Sequence, residues 1–194
     1  MDSIDYYNRY AAPYYEATVD LDMSEIMQPF IDLLPEDAEV LDLGCGTGRD
    51  SLALEEHGFY VSPMDGSEEM CKLASIYLDK EVLHLTFEEM DFDEVFDGIW
   101  ACASLVHVHP EKMPMILKKI FHALKPEGIL YFSVYEGDRD GVYKGRYYHD
   151  YTKQELRELL GAFDNIEVLD IWRTQDVRQE KGDRKWLNVL VKKV

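Results

Sequence analysis

A chain of 194 residues, 46% hydrophobic and 30% charged, has apolar material for one sizeable core and no composition that marks a long disordered tract. Its net charge of −19 argues against large nucleic acids and anionic membrane surfaces as partners, while leaving room for a local basic pocket. No apolar run reaches the ~18 residues of a membrane span, and the acidic start Met1-Asp2-Ser3-Ile4-Asp5 lacks the pattern of a secretory signal, so a cytosolic protein is expected. Three cysteines, Cys45, Cys71 and Cys102, fit neither a disulfide framework nor a zinc ribbon and read as buried reduced thiols.

The tyrosine-rich stretch from Tyr6 to Tyr15 reads as a helical N-terminal cap. Met23, Ile26, Met27, Phe30, Ile31 and Leu34 recur on one helical face before Pro35, and Glu39 to Leu43 is a short buried strand. Helices are expected over Gly48 to His57, Ser67 to Leu78 with Ser67 as N-cap, and Pro114 to Leu124. Strands are expected over Phe59 to Met64, Val82 to Phe87, Gly98 to Cys102 and Ile129 to Tyr135. This alternation implies right-handed crossovers and a parallel sheet with helices on both faces. After a polar loop, Gly137 to Asp150, Thr152 and Glu155 are spaced as a capping box for another helix. Ile166 to Thr174 and Trp186 to Val194 then follow with no crossover element between them, only the charged stretch Gln175 to Lys185, and should pair antiparallel.

The stretch Val40-Leu41-Asp42-Leu43-Gly44-Cys45-Gly46-Thr47-Gly48 is a strand running into three alternating glycines and a helix. Without Cβ atoms the chain can turn tightly and let a nucleoside lie against the main chain. Asp65, about 20 residues beyond Gly44 and at the end of the next strand, is placed to accept hydrogen bonds from ribose hydroxyls. A dinucleotide site prefers Gly-x-Gly-x-x-Gly; here Gly48 comes one position early and Arg49 stands where the third glycine would be. A ligand with an amino acid tail fits better than one with a diphosphate, and Asp42 is placed to attract its ammonium group. An NAD-dependent oxidoreductase stays as the more distant alternative.

These segments, with Met64-Asp65-Gly66-Ser67, Phe96-Asp97-Gly98-Ile99 and Leu124-Lys125-Pro126-Glu127-Gly128, resemble the class I S-adenosylmethionine-dependent methyltransferases over roughly residues 38 to 135. Asp97 to Leu105 and the ending Trp186-Leu187-Asn188 extend the likeness toward a bacterial subgroup of small methyltransferases. The resemblance implies a Rossmann-like three-layer α/β sandwich whose seven-stranded, mostly parallel sheet has the order 3-2-1-4-5-7-6 with strand 7 antiparallel. One domain is then expected over 1–194, divided into a helical cap at 1–34, a cofactor-binding core at 38–135 and an acceptor loop, helix and hairpin at 136–194. S-adenosylmethionine would be the cofactor and S-adenosylhomocysteine the product. Asp42, Gly44, Cys45, Gly46 and Gly48 would surround its methionine and ribose parts, Asp65 the ribose, and Gly66, Ser67 and Met70 the adenine end, with Thr86, Phe87 or Glu88 meeting the adenine amino group. Ala101, Cys102 and Ala103 would border the reactive methyl, with Tyr6, Tyr10 and Tyr14 as a lid. Pro63 departs from the usual pattern but is tolerable at a strand's end.

Methyl transfer is an in-line displacement in which alignment and exclusion of water matter most, so a base is optional. His107, Tyr148, His109, Glu136 and His149 are the base candidates, His107 and Tyr148 foremost. The pair His107-x-His109 lacks metal-ligand partners, and no metal is expected. Ala101-Cys102-Ala103-Ser104 stands where an Asn-Pro-Pro-Tyr stretch would signal amide or adenine nitrogen methylation. Arg178, Arg184, Trp186 and Asn188 are candidates for an acceptor-binding rim. A small-molecule acceptor is expected, with the chain as monomer or homodimer; the alternative is a catalytically silent S-adenosylmethionine-binding protein or partner subunit.

Overall fold

The structure is a computed structural model, and it describes residues 3–178 and 184–194. The element order is α1 (Ser3–Thr18), α2 (Ser24–Ile31), β1 (Glu39–Leu43), α3 (Arg49–Glu56), β2 (Tyr60–Asp65), α4 (Glu68–Leu78), β3 (Leu83–His84), β4 (Phe96–Ala101), α5 (Met113–Ala123), β5 (Leu124–Tyr135), β6 (Asp140–Tyr143), β7 (Arg146–His149), α6 (Lys153–Leu160), β8 (Ile166–Gln175) and β9 (Lys185–Lys193). Seven strands form one sheet in the order β3-β2-β1-β4-β5-β9-β8, with β9 antiparallel to both neighbours. With β6 and β7 left out of the count, this is the expected order.

Period-2 alternation along the strands divides the core in two. Leu41, Leu43, Ile99, Phe132 and Val189 face the side covered by Ile116, Leu117 and Ile120 of α5 and Leu156 and Leu160 of α6. Val40, Trp100, Tyr131 and Leu190 face Met27 and Phe30 of α2 and Leu54 of α3. Trp100, fully buried, stacks on Tyr131 with ring centroids 3.9 Å apart. Asp42 pairs with Trp100 in register and lies on that second face, which directs its side chain toward α3.

Two expectations are corrected. The strand expected over Val82 to Phe87 is only Leu83–His84, because Thr86 and Glu89 close a capping box that turns Phe87–Glu89 into a single 3-10 turn. The polar loop Gly137 to Asp150 contains the hairpin β6–β7, whose pairing runs from Asp140 with His149 to Tyr143 with Arg146. Its alternation was hidden by tyrosine, arginine and histidine, which are polar by composition yet pack their rings. The expected capping box at Thr152 and Glu155 is present in full. Of the charged stretch Gln175 to Lys185, residues 179–183 lie outside the described residues.

Candidate active site

At the carboxyl ends of β1, β2 and β4 the chain has to turn away from the sheet, and the turn after β1 shapes the site. Gly44 sits at φ +80°, and a Cβ there would lie 2.5 Å from Cβ of Ser104, so the loop after β4 can close against it only because position 44 has no side chain. The N–H groups of Gly44 and Cys45 both donate to the carbonyl of Met64, tying this loop to the end of β2. Asp65 follows at once. Its Oδ2 accepts from the Gly46 N–H at 2.9 Å and its Oδ1 from the Ser67 N–H at 2.8 Å, which fixes the carboxylate across the loop. Burial pushes its pKa up, and the two backbone bonds offset part of that push.

Two cavities meet over this loop, sharing Tyr14, Gly44, Gly46, Cys102 and Ala103. The first, about 690 Å³ with its open mouth, is lined by Asp65, Gly66, Met70, Thr86, Phe87 and Glu88, and roofed by Ile4 and Tyr7 of α1, with Ser104 and His107 at its side. The second, about 760 Å³, runs from Asp42, Thr47, Arg49 and Asp50 to Tyr131, Ser133 and Asn188 and on to Asp176, Arg178 and Trp186.

The electrostatics of the second cavity are built from paired groups. Asp42 accepts from the Ser51 hydroxyl at 2.6 Å; burial, and next the carboxylate of Asp50, push its pKa up to about 8. Asp50 accepts from the Arg49 Nε at 2.7 Å and the Trp100 Nε1 at 2.9 Å. At the far end Asp176 accepts from the Arg178 side chain, the Tyr135 hydroxyl and the Trp186 Nε1. Burial works against its ionised form, but the bonds from Arg178 hold it below the usual carboxylate range. Trp186 stacks on Tyr135 at 3.8 Å.

Among the residues singled out from sequence, Asp42, Gly44, Cys45, Gly46, Asp65, Gly66, Met70, Phe87, Glu88, Cys102, Ala103, Tyr14, His107, Arg178, Trp186 and Asn188 line these two cavities. Others do not. Gly48 is spent on packing: a Cβ there would stand 3.0 Å from the Leu78 side chain, so its absence lets α3 approach α4. Ser67 is buried, accepting from the Met70 N–H as N-cap and donating its hydroxyl to Asn8. Ala101 points into the core. Tyr148 is buried behind the first cavity against His107 and Arg139. Arg184 is drawn away to Asp150, at 2.8 Å, over the Tyr135 ring. Glu136 pairs with Arg173, His109 stacks on Tyr147, and His149 lies beside Asp140 and Tyr151.

The cap is the main revision. Tyr6 and Tyr10 lie outside the cavities, packed on each other, whereas Ile4, Tyr7, Ala11, Tyr14 and Thr18 form the inward stripe of α1. Spacing of three and four residues carries that signal, which the abundance of tyrosines obscured. Arg49, Ser104 and Ser133 are further cavity residues that motif reading passed over. Ser104 Oγ is buried with no hydrogen-bond partner among the described residues.

These residues fit a sulfonium nucleoside. Asp65 offers the unused lone pairs of a fixed carboxylate beside a glycine wall, as two ribose hydroxyls require, and a Cβ on Gly46 would meet no atom nearer than 3.9 Å, which leaves open space there.

The methyltransferase domain family matches residues 40–128. A Staphylococcus carnosus methyltransferase is 28% identical over 93% of this chain and 95% of its own length. A Bacillus subtilis protein named as a methyltransferase is 37% identical over 53% of this chain, but the match spans only 44% of that longer protein. Among solved structures, the Burkholderia thailandensis 1,6-didemethyltoxoflavin N1-methyltransferase, with bound 1,6-didemethyltoxoflavin and S-adenosylhomocysteine, has a TM-score of 0.75 and 27% identity over 98% of this chain and 85% of its own. Fold, glycine loop and relatives agree: the chain carries a methyltransferase domain over residues 40–128 and is similar, across nearly its whole length, to S-adenosylmethionine-dependent methyltransferases.

Proposed function

We propose that this chain transfers a methyl group from S-adenosylmethionine to a small molecule bound in the cavity that ends at Arg178 and Trp186. The observation that carries this reading is the continuity of the two cavities at Tyr14, Cys102 and Ala103. The first has the carboxylate and the narrow glycine-walled slot for adenosine. The second passes Asp42 and Arg49, which suit an ammonium and a carboxylate, and then continues over β5 and β9 into space the donor has no need of.

When bound, S-adenosylmethionine supplies the electrophilic methyl on a sulfonium. The chain's own work is positioning. Asp65 holds the ribose, and Gly66, Met70 and Phe87 flank the adenine. Cys102 and Ala103 border the junction with small side chains, and Tyr7 and Tyr14 roof it against water. Arg178, held in plane by Asp176, and the Trp186 ring offer a polar, planar acceptor a hydrogen-bonding edge and a flat wall. The Burkholderia relative's acceptor, a flat nitrogen heterocycle, supports this class of substrate. A chain of net charge −19 does not suit polynucleotides.

Labelled methyl transfer tests the reading. Label from S-adenosylmethionine should enter members of a panel of small aromatic hydroxyl and ring-nitrogen compounds, and Arg178→Ala should raise acceptor KM with little change in S-adenosylhomocysteine affinity. Label found only in transfer RNA or protein would contradict the small-molecule assignment.

A further inference from the structure

At the end of the second cavity that lies over β5, β8 and β9, the lining amide and carboxylate spend their lone pairs on neighbours, and protons are left over. Tyr131 donates its hydroxyl to Asn188 Oδ1 at 2.8 Å, and Asn188 Nδ2 donates to Thr174 Oγ1 at 3.0 Å. The amide is fixed in that sense because Nδ2 also reaches the Trp172 carbonyl, at 3.4 Å, which can only accept. A Thr174 oxygen that accepts from Asn188 keeps its own proton to give. Asp176 has no lone pair to spare: Oδ1 accepts from the N–H and Nε of Arg178, and Oδ2 from Arg178 Nη2, the Tyr135 hydroxyl and Trp186 Nε1. Arg178 Nη2 gives its other hydrogen to the Tyr135 oxygen, 2.8 Å away. That leaves Nη1 as the guanidinium nitrogen with no partner among the described residues, on a side chain that lines the cavity beside Thr174.

The charge behind this wall leans positive. Trp186 stacks on Tyr135, and the guanidiniums of Arg184 and Arg139 lie 4.1 Å and 5.3 Å from the centroid of the same Tyr135 ring. Arg139 and Arg184 share one carboxylate, that of Asp150, at 2.9 and 2.8 Å. With the Arg178–Asp176 pair, three guanidiniums stand against two carboxylates in this corner, counted among the described residues of a chain whose net charge is −19. Asp42 and Asp50 belong to the other end of the cavity, on β1 and α3. On the wall shared with the first cavity, burial raises the Tyr14 pKa while the cations of Arg178, Arg49 and Arg146 work against that rise, so guanidiniums surround its hydroxyl as well. A cation in excess in a partly buried corner is stabilised by a counter-anion that reaches it.

We infer that the methyl acceptor is an organic monoanion that seats a carboxylate against Arg178 and Thr174. The inference rests on the methyl-transfer reading above and names its substrate class. An ionised carboxylate only accepts hydrogen bonds, which matches a wall whose free groups are donors. Its single charge matches the single guanidinium in excess, where a phosphate dianion would leave one charge uncompensated. Trp186, with its N–H spent on Asp176, adds apolar ring surface, so an aryl carboxylate suits the wall as a whole. From that seat the rest of the acceptor runs back toward Cys102 and Ala103, where the two cavities meet.

The probe is benzoate, with benzamide as its uncharged match, titrated at millimolar concentration into the full chain saturated with S-adenosylhomocysteine. Calorimetry gives the affinities, and the Arg178 side-chain N–H signals in NMR give the place. The expected result is a preference for benzoate of about 10-fold, a shift of the Arg178 signals, and a preference that shrinks as salt is raised. Arg178→Gln should remove the preference. Because that change strips buried Asp176 of its cation, Thr174→Val and Arg184→Gln are the milder arms, each lowering benzoate affinity about 2- to 5-fold while benzamide and S-adenosylhomocysteine bind as before. Equal affinity for the two probes, no binding of benzoate, or an unchanged preference in every variant that still binds S-adenosylhomocysteine overturns the inference. Tighter binding of phenyl phosphate than of benzoate overturns the choice of a carboxylate. Failure of the wild-type chain to bind S-adenosylhomocysteine at all would instead sink the methyl-transfer reading beneath it.

Discussion

The half of the sheet made by β1, β2 and β4 and the half made by β5, β9 and β8 present groups to the same cleft, but they hold them differently. In the first half the backbone does the holding. Met64 carbonyl, Gly44 and Cys45 N–H groups, and the Gly46 and Ser67 N–H groups on Asp65 define the slot almost without side chains. In the second half the holding is by side chains on side chains: Tyr131 donates to Asn188, Asn188 to Thr174, and Asp176 collects Arg178, Tyr135 and Trp186. A backbone cradle tolerates change poorly and recurs as a motif; a side-chain network can be rewritten residue by residue to suit a different acceptor.

The sharpest way to break the first half is Gly44→Ala. Its Cβ would meet Ser104 at 2.5 Å in a left-handed conformation, and the cost should be at least about 2 kcal/mol, seen as a lowered Tm together with loss of S-adenosylhomocysteine binding. In the second half, Arg178→Ala removes a charged hydrogen-bonding edge and should raise acceptor KM about 10-fold, from ~1.5 kcal/mol, with the titrated affinity for S-adenosylhomocysteine held. Equal losses in both quantities would show that the halves are not separable.

Asp42 supplies a pH test of the first half. Its folded pKa, about 8, lies above that of an unfolded aspartate, so folding favours the protonated form. Its contribution to stability is therefore undiminished below about pH 4 and declines as pH rises toward 8. Asp42→Asn should flatten that part of the stability curve in denaturant titrations, and an unchanged slope would remove Asp42 as its source. The smallest expected effect lies in the second half: Thr152→Ala deletes the capping box of α6 and should cost about 1 kcal/mol in the same assay without moving S-adenosylhomocysteine affinity.

The contrast also explains what could be read beforehand. β1, the glycine loop and Asp65 were legible because backbone geometry demands particular residue types at fixed spacing. The C-terminal hairpin is legible because the sequence between its strands is a charged stretch with no crossover pattern. The β6–β7 hairpin was not, since its aromatic and basic residues register as polar in a hydropathy pattern. Tyr7 cannot be told from Tyr6 and Tyr10 in the sequence, because the choice among neighbouring tyrosines depends on the rotation of α1, which the burial of Ala11 and Thr18 reveals. Gly48 reads as a ligand contact by its place in the motif, whereas its missing side chain serves the packing of α4.

The most direct test is calorimetric titration of the wild-type chain and Asp65→Ala with S-adenosylhomocysteine, and with NADH as control. The account predicts micromolar binding to wild type, weakened about 10- to 100-fold by the substitution because charged hydrogen bonds to the ribose are lost, and no comparable binding of NADH. Equal affinity in the two proteins, or tighter binding of NADH, would contradict it.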